Sequence, residues 1–177
     1  MKEPEVSLLI AMNYIQSGAT CKDVVVSIDG AHIKTKNTIH FDMAKFMHDH
    51  GYIKCDTRDD RWQGEYQKSG FSKSIIVCSK SGIGDVIIAL NDGKTLYIES
   101  KKFKSGSGGE YPAMREAIGQ LMTGCPDDGN TIPVVAVPYN SKSSSLSKKW
   151  IQNERIRRAG IRFMLVHSDG DIDFIES

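Results

Sequence analysis

The chain has 177 residues, 40% of them hydrophobic, and its 23 Lys and Arg against 22 Asp and Glu leave a formal charge of +1. This suits one domain with an ordinary core, and it leaves any nucleic-acid contact to local basic surface rather than net charge. Four cysteines without a Cys-x-x-Cys pair argue against zinc and disulfide scaffolds, and no long apolar run suggests a signal peptide or membrane span, so a cytoplasmic location is expected.

Residues 1–37 are expected to form a small N-terminal helical extension. Val6, Leu8, Leu9, Ile10, Met12 and Ile15 read as a helix that Gly18 stops. Residues 24–33 have two readings. The β-branched residues around Asp29-Gly30 suggest a hairpin. Alternatively, Thr20 caps a second helix ended by Gly30, which gives a helix-turn-helix-like unit. The helical reading is favoured because helices precede and follow it.

Residues 38–177 are expected to form the core domain. Ile39, Met43, Phe46 and Met47 lie at helical spacing within 38–52, and Gly51 ends that helix. The apolar run 74–78, bounded by Gly70 and Gly82, reads as a strand. Residues 84–90 and 96–102 then form an apolar hairpin with charges at its open end: Asp85 on one strand, Glu99 and Lys101 on the other. Strand interiors tolerate such charges poorly unless something pairs or uses them. Glu99 and Lys101 are two apart, so they share one face.

The turn decides whether the two acids meet. A two-residue Asp92-Gly93 loop would set Asp85 opposite Ser100, on the wrong face. A three-residue loop, with Gly93 left-handed, pairs Leu90 with Lys94 and brings Asp85 to face Glu99. The chemistry favours the longer loop, because two acids and an amine beside apolar sheet suit a hard divalent cation.

Downstream, residues 110–122 read as a helix with Pro112 in its first turn. Residues 132–137 read as a strand, and 141–147 as a polar loop. Residues 148–158 form a helix that Gly160 ends, and 161–167 and 172–175 are terminal strands. Asp169, Asp171 and Asp173 alternate like a calcium loop but lack its glycine and closing glutamate, so they read as a surface turn.

Gly84-Asp85 followed by Glu99-Ser100-Lys101 resembles the PD-(D/E)XK nuclease superfamily, whose pattern is an acid opening one strand and Glu-x-Lys on the next. The resemblance covers residues 38–140, and Gln120 matches the glutamine that members often carry on the following helix. It implies an α/β restriction-endonuclease-like core, a central mixed sheet flanked by helices. It implies Mg²⁺, with Mn²⁺ as a substitute, held by Asp85, Glu99 and the carbonyl of Ser100. Lys101 and Gln120 would complete the catalytic set, with Asp42, Glu65 or Glu116 as an accessory acid. The expected activity is metal-dependent endonucleolytic cleavage of DNA, duplex or branched, in preference to RNA. A restriction-type homodimer is favoured over a junction resolvase, a repair or mobile-element nuclease, or a non-catalytic binding module of the same fold. Lys102, Lys104, Lys148 and Lys149 are the expected nucleic-acid contacts.

Overall fold

The computed structural model describes residues 1–56, 61–103 and 108–176. Helix α1 (Glu3–Gln16) begins with Glu3-Pro4-Glu5, which places proline and acidic charge where a helix start favours both. Val6, Leu8, Leu9, Ile10, Met12 and Ile15 are all buried, so α1 is a core helix rather than a surface one. Strand β1 (Val24–Ser27) follows. Next come a single-turn helix α2 (Gly30–Ile33) and two short strands, β2 (Lys34–Thr35) and β3 (Thr38–Ile39).

Helix α3 (Met43–Asp49) leads to strands β4 (Tyr52–Lys54), β5 (Gly64–Lys68), β6 (Ile75–Cys78), β7 (Val86–Ala89) and β8 (Thr95–Ser100). Helix α4 (Glu110–Gly124), β9 (Thr131–Pro138), α5 (Ser141–Trp150), α6 (Glu154–Arg158), β10 (Arg162–Val166) and β11 (Ile172–Ile175) complete the described chain.

The architecture is α/β. The main described strands form one mixed sheet in the order β11-β10-β9-β8-β7-β1-β6-β5-β4, while β2 and β3 pair only with each other. β1 runs parallel to β6 and antiparallel to β7; β8 runs antiparallel to β7 and parallel to β9. The carboxyl ends of β1, β6, β8 and β9 therefore share one edge, where ligand crevices form in sheets of this kind. Side chains alternate across the sheet. Leu96, Ile98, Val134 and Ala136 pack with α1, whereas Tyr97, Val135 and Val137 pack with Met114, Ala117 and Leu121 of α4.

Three sequence expectations change. Residues 1–37 are not a helical extension, because β1 is a central strand hydrogen-bonded on both sides and α1 packs on the sheet. Thr20 caps no helix. Its hydroxyl donates to backbone carbonyls at Lys22 and Ala89, and it bridges to Leu90. The expected 38–52 helix is shorter at both ends: Thr38–Ile39 forms β3, Asp42 caps α3, and Tyr52 opens β4. Finally, the stretch 141–158 differs: 141–147 is helical, and the expected 148–158 helix is interrupted, α5 ending at Trp150 and α6 beginning at Glu154. Asn140 accepts from the N–H groups of Lys142 and Ser143, and Ser143 donates its hydroxyl to the Pro138 carbonyl.

All four cysteines are free thiols. Among the described residues no helix is long and apolar enough to cross a membrane.

Candidate active site

The β7–β8 hairpin has the three-residue turn. Val86 pairs with Ile98 and Ala89 with Thr95. The Leu90 N–H donates to the Lys94 carbonyl at 2.8 Å, and Gly93 is left-handed with φ of 86°. The regular pairing ends at Val86 and Ile98, and Asp85 lies just outside it, lining one cavity with Glu99 and close enough for their charges to interact. The Asp85 N–H donates to the Ile98 carbonyl at 2.9 Å, and Asp85 Oδ2 accepts from the Ser100 N–H at 2.7 Å. The carboxylate thus takes a backbone donor that would otherwise extend the ladder.

Gly84 sets the entry into β7. Its φ is 71°, and a Cβ there would lie 2.8 Å from the Tyr97 ring. Only glycine allows both that backbone conformation and that approach. Tyr97 in turn anchors β8 against α4.

Burial makes the carboxylates unusual. Glu99 and Lys101 are each only 8% exposed, and Ser100 is fully buried. Loss of hydration raises the Asp85 pKa from 3.8 to about 7; the charge of Glu99 and, more weakly, Glu3 add to that effect. The Ser100 N–H and Lys101 oppose it. Burial also pushes Glu99 upward, aided by Glu3 and opposed by Lys101.

Lys101 is shared among acids. Its Nζ lies 3.5 Å from Glu116 Oε1 on α4 and 4.0 Å from Glu3 Oε1 on α1. Glu116, expected as an accessory acid, therefore does reach the site. Gln120, one turn along α4, lines a cavity of about 510 Å³ together with Asp85, Glu99, Tyr97, Asp29 and Lys80.

Other candidates lie elsewhere. Glu65 is on β5, three strands from β7, or roughly 14 Å at the usual strand spacing. Its carboxylate accepts from the Ser74 hydroxyl at 2.7 Å. Asp42 caps α3 by accepting from the Lys45 N–H. Lys148 and Lys149 are exposed near the end of α5 and do not line the acidic cavity. Lys102 borders a separate depression beside the site, and Lys104 lies outside the described residues.

Glu3 is the residue that sequence reasoning missed, along with Asp29 and Lys80 on the cavity wall. The available signal was the Glu3-Pro4-Glu5 helix start. It identifies a helix terminus but carries no indication that the terminus reaches residue 101.

Among the described residues, no three His, Cys, Asp or Glu side chains converge into a ready-made metal cage. The arrangement offers two carboxylates and the backbone carbonyl between Glu99 and Lys101. That donor set fits Mg²⁺, which keeps several waters and takes one or two carboxylates. The charge fits as well: burial pushes the pKa of both Asp85 and Glu99 upward despite the nearby Lys101.

Comparison with known proteins finds no matching family model, no matching curated protein and no matching solved structure.

Proposed function

We propose that the protein is a metal-dependent endonuclease with a restriction-endonuclease-like core that hydrolyses phosphodiester bonds in DNA. The observation that carries this reading is the convergence of Asp85 and Glu99 on one cavity at the open end of the hairpin, with Lys101 close enough to interact with both carboxylates.

Asp85, Glu99 and the Ser100 carbonyl would hold Mg²⁺ or Mn²⁺. When bound, the cation supplies Lewis-acid stabilisation of the phosphate and lowers the pKa of water. Lys101 donates to a phosphate oxygen, or orients the attacking water, as a compact point charge. Glu3 and Glu116 hold the ammonium in place between two helices. Gln120 projects from α4 into the same cavity and positions the water or Lys101. Lys80, on the opposite wall, meets the substrate phosphate chain.

A restriction-type enzyme reads base sequence, and a separate N-terminal unit would supply that readout. With β1 inside the sheet that support disappears, so the substrate class is decided by a panel of plasmid, linear duplex and four-way junction. Cleavage in Mg²⁺ or Mn²⁺ that stops with EDTA is the expected result. Lys101→Ala should lose roughly 100-fold or more in rate, the usual effect of removing one group that stabilises transition-state charge. Undiminished cleavage by that variant would refute the assignment.

A further inference from the structure

We infer that β2 and β3 form a basic arm that grips the phosphate backbone of duplex DNA beside the acidic site. The inference rests on the nuclease reading of that site and adds the surface through which the substrate is held.

Between Gly30 and Phe41 the chain carries Lys34, Lys36, His32 and His40 and no acidic residue, in a protein whose charges otherwise nearly balance. Lys34 pairs with Ile39 and Thr35 with Thr38, leaving Lys36 and Asn37 as the tip. Lys36 has φ of 52°, as a tight two-residue hairpin turn requires. Every residue from 34 to 40 is exposed, and this ribbon belongs to no larger sheet.

The arm is nevertheless firmly rooted. Ile33 and Phe41, at its two ends, are buried in the core. The N–H groups of His40 and Phe41 donate to the Ile33 carbonyl, at 2.8 and 3.2 Å. A rooted, exposed ribbon bearing only positive charge is costly as core material and well suited to a polyanion. A two-stranded ribbon also fits the width of a DNA groove.

Its position links it to the chemistry. A depression of about 500 Å³ is lined by Ile39 and His40 from the arm, Lys2 from the start of α1, and Lys102. His32 lines it too, and its Nδ1 lies 3.5 Å from Glu3 Oε1, which is also 4.0 Å from Lys101 Nζ. With Lys2 and Lys102 lining the depression and Lys34 and Lys36 on the arm that borders it, the inferred DNA path runs from the arm to the acids. A duplex laid along it places one phosphate at Lys101 while its neighbours meet the arm.

The test is fluorescence-anisotropy binding of a labelled duplex to the full chain in EDTA over a range of salt concentrations. Lys34→Ala/Lys36→Ala is compared with Lys22→Ala/Lys94→Ala, which removes the same charge near the far end of the β7–β8 hairpin. The arm variant should bind roughly tenfold or more weakly, with a salt dependence shallower by about two. The far-end variant should match the unaltered chain. Equal binding by the arm variant overturns the inference, as does an equal loss in the far-end variant, tighter binding to duplex RNA, or no binding by the unaltered chain. Thermal melting of each variant separates lost contacts from lost folding. Arm-dependent binding without cleavage in any metal refutes only the nuclease reading; cleavage that is indifferent to the arm refutes only this inference.

Discussion

Asp85 carries its proton to about pH 7 because burial and the neighbouring Glu99 both penalise its charge. Its folded pKa is raised above the ordinary 3.8, so it contributes stability below that value and loses the contribution as pH rises through about 7. The metal-free protein should therefore be less stable at pH 8 than Asp85→Asn protein, by on the order of 1–3 kcal/mol, and melt at a lower temperature. At pH 4 the two should agree. Added Mg²⁺ should reverse the order at pH 8, because only the unaltered side chain, already ionised at that pH, is a carboxylate that can bind the cation. Calorimetric melting of both proteins at the two pH values, with and without Mg²⁺, checks the prediction. An Asp85→Asn protein that gains as much from Mg²⁺ would show that Asp85 is not a ligand. Legibility at this scale was uneven. Asp85, Glu99 and Lys101 could be read because two-residue periodicity relates Glu99 to Lys101 and the turn glycine brings Asp85 to the same end of the hairpin. Glu3 could not, since nothing local in the sequence ties a helix start to a strand nearly one hundred residues away.

The hairpin works as an element because its register is determined twice, by the turn and by the buried faces of both strands. Ile88 and Leu96 are buried as a pair on the α1 side, and Gly93 adopts the left-handed turn that pairing needs. The other elements were less legible. Val24-Val25-Val26 has the β-branched composition of a strand, but its partners lie some 50 to 60 residues downstream, and local context favoured helix. Residues 141–147 are polar enough to read as a loop, yet capping by Asn140 and buried Ser143 and Ser147 make them helical. Gly84 leaves no room for a side chain beside the Tyr97 ring. Gly84→Ala puts a side chain on a left-handed backbone and a Cβ 2.8 Å from that ring. The expected cost is roughly 1–3 kcal/mol in urea denaturation. Because Asp85 is the next residue, cleavage should fall further than stability accounts for, when measured where the variant is fully folded. A variant with unchanged stability would mean that β7 can enter the sheet by another route.

For the whole molecule, the chain between residues 1 and 37 closes the core, completes the acid cluster and supplies the start of the basic arm. Deleting it removes α1 and the strand that joins β6 to β7, so the sheet would be cut in two. Six large α1 side chains, Val6, Leu8, Leu9, Ile10, Met12 and Ile15, are nearly or fully buried. At roughly 1.5–3 kcal/mol each, their loss alone is comparable to the entire stability of a typical domain. Val24 and Val26, both fully buried, add to that loss. The 38–177 fragment should therefore show no cooperative unfolding transition by circular dichroism and bind no Mg²⁺, although it retains Asp85, Glu99 and Lys101. Glu3→Gln in the full chain gives the complementary result: a folded protein in which Lys101 has lost one of the two carboxylates within ion-pair distance of it. A fragment that melts cooperatively and binds Mg²⁺ would restore the view of residues 1–37 as a detachable appendage. Failure of the fragment, together with normal melting of Glu3→Gln protein, would place structural and chemical roles in the same segment.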